Sequence, residues 1–291
     1  MADPALIVAL VRCTDLRVEV DALTGSLSRD ARSAALSASD AAAVEHALVF
    51  AKAWGARVLV VTAGGPECDP TLRELLSLGA EVRRVDLHGS YVDELAADEQ
   101  QLARALVAAL GSDRPDLVLC ADRSADRGTG ALPAFVAHEL GFVQAPGLVS
   151  LVLDGEGLVA ERRLDHGRRE RMRVPLPAVC SVEAAGVRLR RASLAASLAA
   201  ADAVVPVVQV AVPRSRIRVL QTRALKPRPR HVPPPTGSAR ERLLALTGAL
   251  LSHDPPVVTG PIDAAEAVEE LLEFLVRNGY LSEERTGWAL P

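Results

Sequence analysis

Short apolar runs alternate with segments of helical pattern through the first 120 residues, and this alternation constrains the fold more than any other feature. Each run is five to seven residues long, which is the length of a strand rather than of a helix. The runs lie at 6–11, 57–63 and 116–120, and the more polar segment EVRRVDL at 81–87 is expected as a further strand. Strands that alternate with helices predict an α/β fold, with a parallel sheet and helices on both of its faces.

The helical segments between these strands end in typical capping residues. The segment 38–55 contains Asp40, which we expect as its N-cap, and it ends at Gly55. Residues 70–79 open with proline and close with glycine, a pattern that favours a short helix. Further helices are expected at 93–110 and 129–140.

Three loops follow the carboxyl ends of strands, which is where parallel sheets bind ligands. The loops begin at Arg12, Ala63 and Ala121, and the third reads CADRSADRGTG. It ends with Thr129 and Gly130 at the predicted helix start, where backbone N–H groups bind phosphate without lysine. The chain has neither a GxGxxG fingerprint nor a P-loop, so a phosphate-binding loop and an ordinary surface loop both remain open.

The pattern changes after residue 147. A hairpin is expected across 148–164, followed by an arginine-rich link and a strand at 176–182. The link is either a solvated edge with interleaved charges or a contact for a partner or an anion. A small helix at 192–201 has almost no polar face.

A Pro- and Arg-rich arm at 213–236 leads to two amphipathic segments that predict helices at 238–252 and 263–278. We therefore predict two domains. The first is an α/β domain over 1–205 with a β-hairpin extension at 147–183. The second, over 206–291, is an extended arm with C-terminal helices that pack on a partner subunit.

Composition argues against several functions. The net charge of −4 disfavours nucleic acid as a partner. No apolar run reaches the roughly 18 residues of a membrane span, and the first run has no basic leader, so we expect a cytoplasmic protein without membrane insertion. The four cysteines form no CxxC pair and the six histidines are scattered, which predicts no metal site. No nucleophile elbow is present, so we do not expect the chain to be a catalyst by itself.

Several segments resemble the β subunit of electron transfer flavoproteins. VALVRCTD at 8–15 is similar to the family's VAVKRxxD, and SASDAAAVEHAL at 37–48 is similar to NPYDxxAVEEAL. Residues 65–81 resemble GPxxxxxxLRxALAMGAD, and the third loop resembles GxQSxDxxTGQ. Residues 160–181 are similar to the family's signature segment. The arginine-rich coding and the segment around 238–250 resemble an actinobacterial subgroup linked to the redox peptide mycofactocin.

The resemblance implies an adenine-nucleotide alpha-hydrolase-like fold and a heterodimer with an electron transfer flavoprotein α subunit. FAD, held mostly by that subunit, would carry electrons from donor dehydrogenases to a membrane quinone oxidoreductase of the respiratory chain. This subunit would bind AMP, or a second FAD in a bifurcating variant. The positions that match the family's nucleotide site are Ala9, Asp40, Gly64, Gly65, Ser124, Asp126, Thr129 and Gly130. Leu194 occupies the place of the leucine that docks the donor dehydrogenase.

Two other functions are compatible with the same fold. A stand-alone ATP-binding module of the universal-stress type would use the same loops and form a homodimer without an α subunit. A hydrolase or ligase that acts on an adenylate would need a lysine or histidine cluster near the phosphates. The loops at 12–16, 63–70 and 121–130 contain neither residue type, so we rank this function last.

Overall fold

The computed structural model describes residues 5–21, 23–28, 30–86, 98–155, 157–211, 217, 220, 234–247 and 258–281. The chain divides into two compact units, Met1–Lys226 and Pro227–Pro291. All the strands of the described residues lie in the first unit, and the described part of the second contains two helices.

The first unit is built on a nine-stranded sheet. The described strands of the unit, four of which lie outside this sheet, are β1 (Leu6–Leu10), β2 (Cys13–Asp15), β3 (Glu19–Val20), β4 (Leu27–Ser28), β5 (Ala34–Leu36), β6 (Arg57–Ala63), β7 (Glu81–Asp86), β8 (Leu117–Ala121), β9 (Val143–Asp154), β10 (Gly157–Arg163), β11 (Arg169–Val174), β12 (Ala178–Val182) and β13 (Val207–Gln209). The large sheet has the order β11-β10-β9-β12-β8-β1-β6-β7-β13. The seven strands β9-β12-β8-β1-β6-β7-β13 are parallel to their neighbours. At the other edge of the sheet, β10 pairs antiparallel with both β9 and β11. Two small antiparallel pairs, β2 with β5 and β3 with β4, lie outside it.

Helices cover both faces of this sheet. The helices of the first unit are α1 (Ala38–Trp54), α2 (Asp69–Ser77), α3 (Glu99–Leu110), α4 (Leu132–Leu140) and α5 (Leu194–Ala200). Alternate residues of β1 point to opposite faces, so Ile7 packs in the core that holds α1 and α2, and Val8 packs in the core that holds α3 and α4. Both residues are fully buried. The predicted α/β fold with helices on both faces is confirmed.

Two helix starts differ from the sequence-based expectation. Ser37, not Asp40, is the N-cap of α1, because its hydroxyl accepts the N–H of Asp40 at 3.1 Å. The helix expected from 129 begins at Leu132 instead, because residues 124–129 close into a loop through the bond from Ser124 N to Thr129 O. Of the helix expected at 93–110, residues 93–97 lie outside the described residues.

The predicted hairpin forms between β9 and β10, and it continues the large sheet rather than standing apart from it. The arginine-rich link becomes the edge strand β11. Ion pairs join it to its neighbour, from Arg169 to Glu161 at 2.6 Å and from Arg162 to Glu170 at 2.5 Å. These pairs agree with a solvated edge whose charges are interleaved.

The sheet continues past residue 205, because β13 pairs with β7. Most of the arm at 213–236 lies outside the described residues. The second unit contains α6 (Ala239–Leu246), which starts with a capping box of Ser238 and Glu241, and α7 (Ala264–Arg277), which Asp263 caps. Among the described ranges, no helix combines the length and the apolar character needed to cross a bilayer.

Candidate functional site

A cavity opens at the carboxyl ends of β1, β6 and β8, where the three predicted loops leave the sheet. Its space, including the part open to solvent, is about 570 Å³. The ends of the strands and the first turns of α3 and α4 line it. A cleft at this edge of a parallel sheet is the expected position of a ligand.

The cavity combines buried leucines with polar side chains of both signs. Leu10 at the end of β1 and Leu102 and Leu106 of α3 form its apolar wall, and each is at most 6% exposed. Its polar lining side chains are those of Arg12, Asp40, Glu99, Arg123, Ser124 and Thr129. Such a lining offers one surface for a flat apolar group and another for hydrogen bonds.

Asp40 is the buried carboxyl of the cavity. Its Oδ1 accepts the backbone N–H of Arg12 at 3.1 Å, and its Oδ2 accepts the hydroxyl of Ser37 at 2.5 Å. Burial raises the pKa of Asp40, although the hydrogen bonds from Ser37 and Arg12 oppose this shift. Asp40 therefore ties the first turn of α1 to the loop after β1.

The loop after β8 is folded on itself. Ser124 N donates to Thr129 O at 2.8 Å, Gly128 N donates to Ser124 O at 2.8 Å, and the Ser124 and Thr129 hydroxyl oxygens lie 3.1 Å apart. A Cβ on Gly130 would lie 2.5 Å from the carbonyl oxygen of Asp122, so only glycine fits there. Within the described part of the chain, the N–H groups of Thr129 and Gly130 make no hydrogen bond, and both residues line the cavity.

An ion pair joins the first loop to the third. Arg12 Nη2 lies 2.6 Å from Asp126 Oδ2, and the two side chains are 25% and 18% exposed. Arg123 pairs with Asp122 at 3.0 Å. Both guanidinium groups at the cavity are therefore already paired with carboxylates of this chain.

A carboxylate of α3 reaches the start of α4. Glu99 Oε2 accepts the N–H of Ala131, the residue just before α4, at 2.9 Å. Sequence analysis missed Glu99, and also Leu102, Leu106 and Arg123, as cavity residues. The signal in the sequence that a helix starts at Glu99 is Asp98, because aspartate is a typical N-cap residue.

The structure brings together four of the eight predicted nucleotide-site residues. Asp40, Ser124, Thr129 and Gly130 line the cavity, and Asp126 holds Arg12 beside it.

The other three predicted residues lie elsewhere. The side chain of Ala9 is fully buried in the core with α1 and α2. Gly64 and Gly65 follow the lining residue Ala63, but they belong to a turn of their own. There Gly64 O accepts from Arg84 at 3.2 Å, and Gly65 N donates to Glu67 at 3.0 Å.

Leu194, the predicted docking residue, is the first residue of α5 and is 76% exposed. Leu198, one turn later, is 67% exposed, and α5 carries no charged side chain. These two leucines form an apolar surface on α5 that is separate from the cavity lining.

The cavity offers neither a metal site nor a reactive thiol. Among the described residues, no group of three His, Cys, Asp or Glu side chains is placed to hold a metal ion. Cys120 lines the cavity, and burial raises the pKa of its thiol, so it is neutral at physiological pH.

Residues 24–213 match the model of the electron transfer flavoprotein domain family. The chain is 33% identical over 167 residues to an electron transfer flavoprotein subunit beta of Mycobacterium tuberculosis, covering 54% of this chain and 60% of that protein. It is 26% identical over 150 residues to the subunit of the same name from Thermoanaerobacterium thermosaccharolyticum, covering 52% and 56%. It is 25% identical over 218 residues to that of Syntrophomonas wolfei, covering 74% and 84%. The chain thus spans less than two thirds of the first two relatives.

Proposed function

Because the chain belongs to the electron transfer flavoprotein domain family, we propose that it is the β subunit of a heterodimeric electron carrier. Its partner is an electron transfer flavoprotein α subunit, and the two subunits share one FAD. The carrier takes electrons from donor dehydrogenases and passes them to a membrane quinone oxidoreductase. The bound flavin supplies the redox chemistry, while the protein binds and orients it.

We propose further that the cavity at the ends of β1, β6 and β8 binds AMP, with a second FAD as the variant for a bifurcating carrier. One observation supports this assignment. Thr129 and Gly130 line the cavity, their N–H groups make no hydrogen bond within the described residues, and a Cβ on Gly130 would strike Asp122 O. Backbone N–H groups of this kind bind phosphate oxygens without a lysine, and the leucine wall suits an adenine ring.

Docking of the donor dehydrogenase is proposed at Leu194. This side chain is exposed at the start of an uncharged helix, so the contact is apolar and not a charge attraction. We therefore expect that acyl-CoA dehydrogenases that need a basic docking surface on the electron carrier reduce this protein slowly. Rapid reduction by such an enzyme would contradict this part of the proposal.

The second unit is proposed to pack on the α subunit. Its helix α7 exposes Val268, Leu271 and Phe274, each at least 50% accessible. Along a helix these positions lie three residues apart and share one face. An apolar helix face of this kind needs a partner to bury it.

The test is to express the chain with the α-subunit gene nearest to it, purify the pair by a tag on this chain, and identify the bound nucleotides after denaturation. We expect a second subunit, one FAD and one AMP. The variant Gly130→Ala should lose AMP and keep FAD. Gly157→Ala, whose new Cβ meets only Asp154 O at 3.8 Å, is the matched control and should keep both.

Other outcomes distinguish the alternatives. Two FAD molecules per heterodimer would assign the chain to a bifurcating carrier. A chain that purifies alone with bound ATP would replace the proposal with a universal-stress-type module. A flavin-containing heterodimer with no adenine nucleotide beyond its FAD would remove the nucleotide site and leave the electron carrier.

A further inference from the structure

Two of the four cysteines lie together where the first two loops leave the sheet. Cys13 is the first residue of β2, directly after the cavity residue Arg12, and Cys68 ends the turn that follows β6. The thiol of Cys68 donates a hydrogen bond to the sulfur of Cys13. The two sulfurs are therefore neighbours, although the cysteines are far apart in the sequence.

The backbone on both sides holds the two sulfurs in place. Strand β5 supports both, because it pairs with β2 at Cys13, and its Ala34 O accepts the hydroxyl of Thr71 at 3.3 Å. Thr71 lies in the first turn of α2, the helix that begins directly after Cys68. A Cβ on Gly64 would lie 2.6 Å from the sulfur of Cys68, so this glycine leaves room for that sulfur.

The two thiols differ in access and in protonation. Cys13 is partly exposed, whereas Cys68 is only 1% exposed. The hydrogen bond from Cys68 lowers the pKa of Cys13, and burial opposes this shift. The same contact and burial raise the pKa of Cys68. Because the thiolate is the nucleophilic form of cysteine, Cys13 is the thiol that reacts first and Cys68 is the one that stays protonated.

The other two cysteines form no such pair. Cys120 and Cys180 are at most 2% exposed, and they lie on opposite faces of the sheet. Burial raises the pKa of both thiols. Among the described residues, no three His, Cys, Asp or Glu side chains are grouped to hold a metal ion, so the contact between Cys13 and Cys68 is not part of a metal site.

We propose that Cys13 and Cys68 are a reversible redox pair, which hydrogen peroxide oxidises to a disulfide that joins the loop after β1 to the turn after β6. The Cys13 thiolate attacks the peroxide, the O–O bond breaks, and a sulfenic acid and hydroxide form. The Cys68 thiol then attacks the Cys13 sulfur, and water leaves with the sulfenic oxygen and the Cys68 proton. A small dithiol restores both thiols by exchange.

The site is separate from the cavity lining and does not rest on the proposed function. To test it, the full chain is reduced, freed of reductant and treated with hydrogen peroxide. Free thiols are counted after unfolding in urea, and linked peptides are identified by mass spectrometry. We expect the loss of two of the four thiols, a disulfide between Cys13 and Cys68, and full recovery with dithiothreitol. The urea midpoint should rise on oxidation, because a disulfide constrains the unfolded chain.

Three variants separate the roles of the two thiols, and circular dichroism checks that each protein is folded. In Cys68→Ser the sulfenic acid of Cys13 finds no second thiol, so dimedone should label it. Cys13→Ser should form neither the sulfenic acid nor the disulfide. The matched control is Cys180→Ala, which removes a buried thiol elsewhere in the first unit and should still form the disulfide.

Several outcomes would overturn the inference. A folded wild-type chain that keeps all four thiols, or that forms its disulfide between two chains or with Cys120 or Cys180, would do so. Equal dimedone labelling of Cys13→Ser and Cys68→Ser would also do so, since another thiol would then be the reactive one. If a serine variant does not fold, the disulfide found in the wild type decides the question.

Discussion

Gly130 is the position at which the smallest substitution should disturb the cavity most. A Cβ added there lies 2.5 Å from the carbonyl oxygen of Asp122, whereas non-bonded carbon contacts settle near 3.5 Å, so the backbone must separate by about 1 Å. Asp122 is held by its N–H bond to Val182 O at 3.0 Å. In the alanine variant the loop therefore has to move. This movement should strain the hydrogen bond from Ser124 N to Thr129 O, which is 2.8 Å long in the wild type.

The expected cost of Gly130→Ala follows from these contacts. Overpacking costs about 1–3 kcal/mol, and weakening one backbone hydrogen bond costs roughly 1 kcal/mol, so the free energy of unfolding should fall by about 2–4 kcal/mol. In Gly157→Ala the nearest atom is 3.8 Å away. That variant should match the wild type or gain up to about 1 kcal/mol through the unfolded state.

Urea unfolding of the full chain, followed by circular dichroism, measures both variants. Gly130→Ala should lower the midpoint without changing the slope, and AMP affinity should fall with it. Two variants with the same midpoint would show that the loop tolerates the Cβ. A destabilised Gly130→Ala protein with wild-type AMP affinity would show that the loop does not hold the nucleotide.

Three further predictions concern the loops and the docking helix. A double-mutant cycle with Arg12→Met and Asp126→Asn should give a coupling energy of about 1–2 kcal/mol, larger than that of an exposed ion pair and smaller than that of a buried one. The reason is that the two side chains are 25% and 18% exposed. A coupling energy near zero would mean that the pair does not join the loops. Asp40 has a pKa raised above 3.8 by burial, so the stability that its neutral form contributes is lost as pH rises through the folded pKa. In urea titrations Asp40→Asn should therefore gain stability relative to the wild type as the pH rises above 3.8, and a difference that does not change with pH would contradict this. Leu194→Ala should change the unfolding free energy by less than about 0.5 kcal/mol, since Leu194 is 76% exposed, and should slow reduction by the donor dehydrogenase; unchanged reduction kinetics would remove Leu194 from the docking surface.

The central strands were predictable because a strand buried on both faces must be apolar along its whole length. Apart from Arg57, Thr62 and Asp116, the runs at 6–11, 57–63 and 116–120 satisfy this condition, and they form β1, β6 and β8. The third loop was predictable for a related reason, since a polar segment directly after such a strand must lie at the edge of the sheet. Sequence alone thus located the cavity at the ends of these strands.

The details of the site depended on tertiary contacts that local patterns do not contain. Asp40 looked like an N-cap, but Ser37 takes that role, and the Asp40 side chain is used by the loop after β1. Ala9 matches a family motif, yet the alternation along β1 turns its side chain to the opposite core. Glu99 is 32 residues away from the N–H group that it accepts, and no pattern within α3 indicates that contact.

The two groups at the cavity that bind anions most readily, guanidinium and backbone N–H, are used in different ways. Arg12 of the first loop is paired with Asp126 of the third and joins the two loops, and Arg123 is paired with its neighbour Asp122. Under the proposed function, backbone N–H groups would therefore bind the phosphate. The attraction of a helix start for an anion falls off within the first turn, and salt screens a partly buried contact much less than an exposed one. Phosphate binding at the proposed site should therefore depend more on the closed shape of the loop, in which only glycine fits at position 130, than on ionic strength.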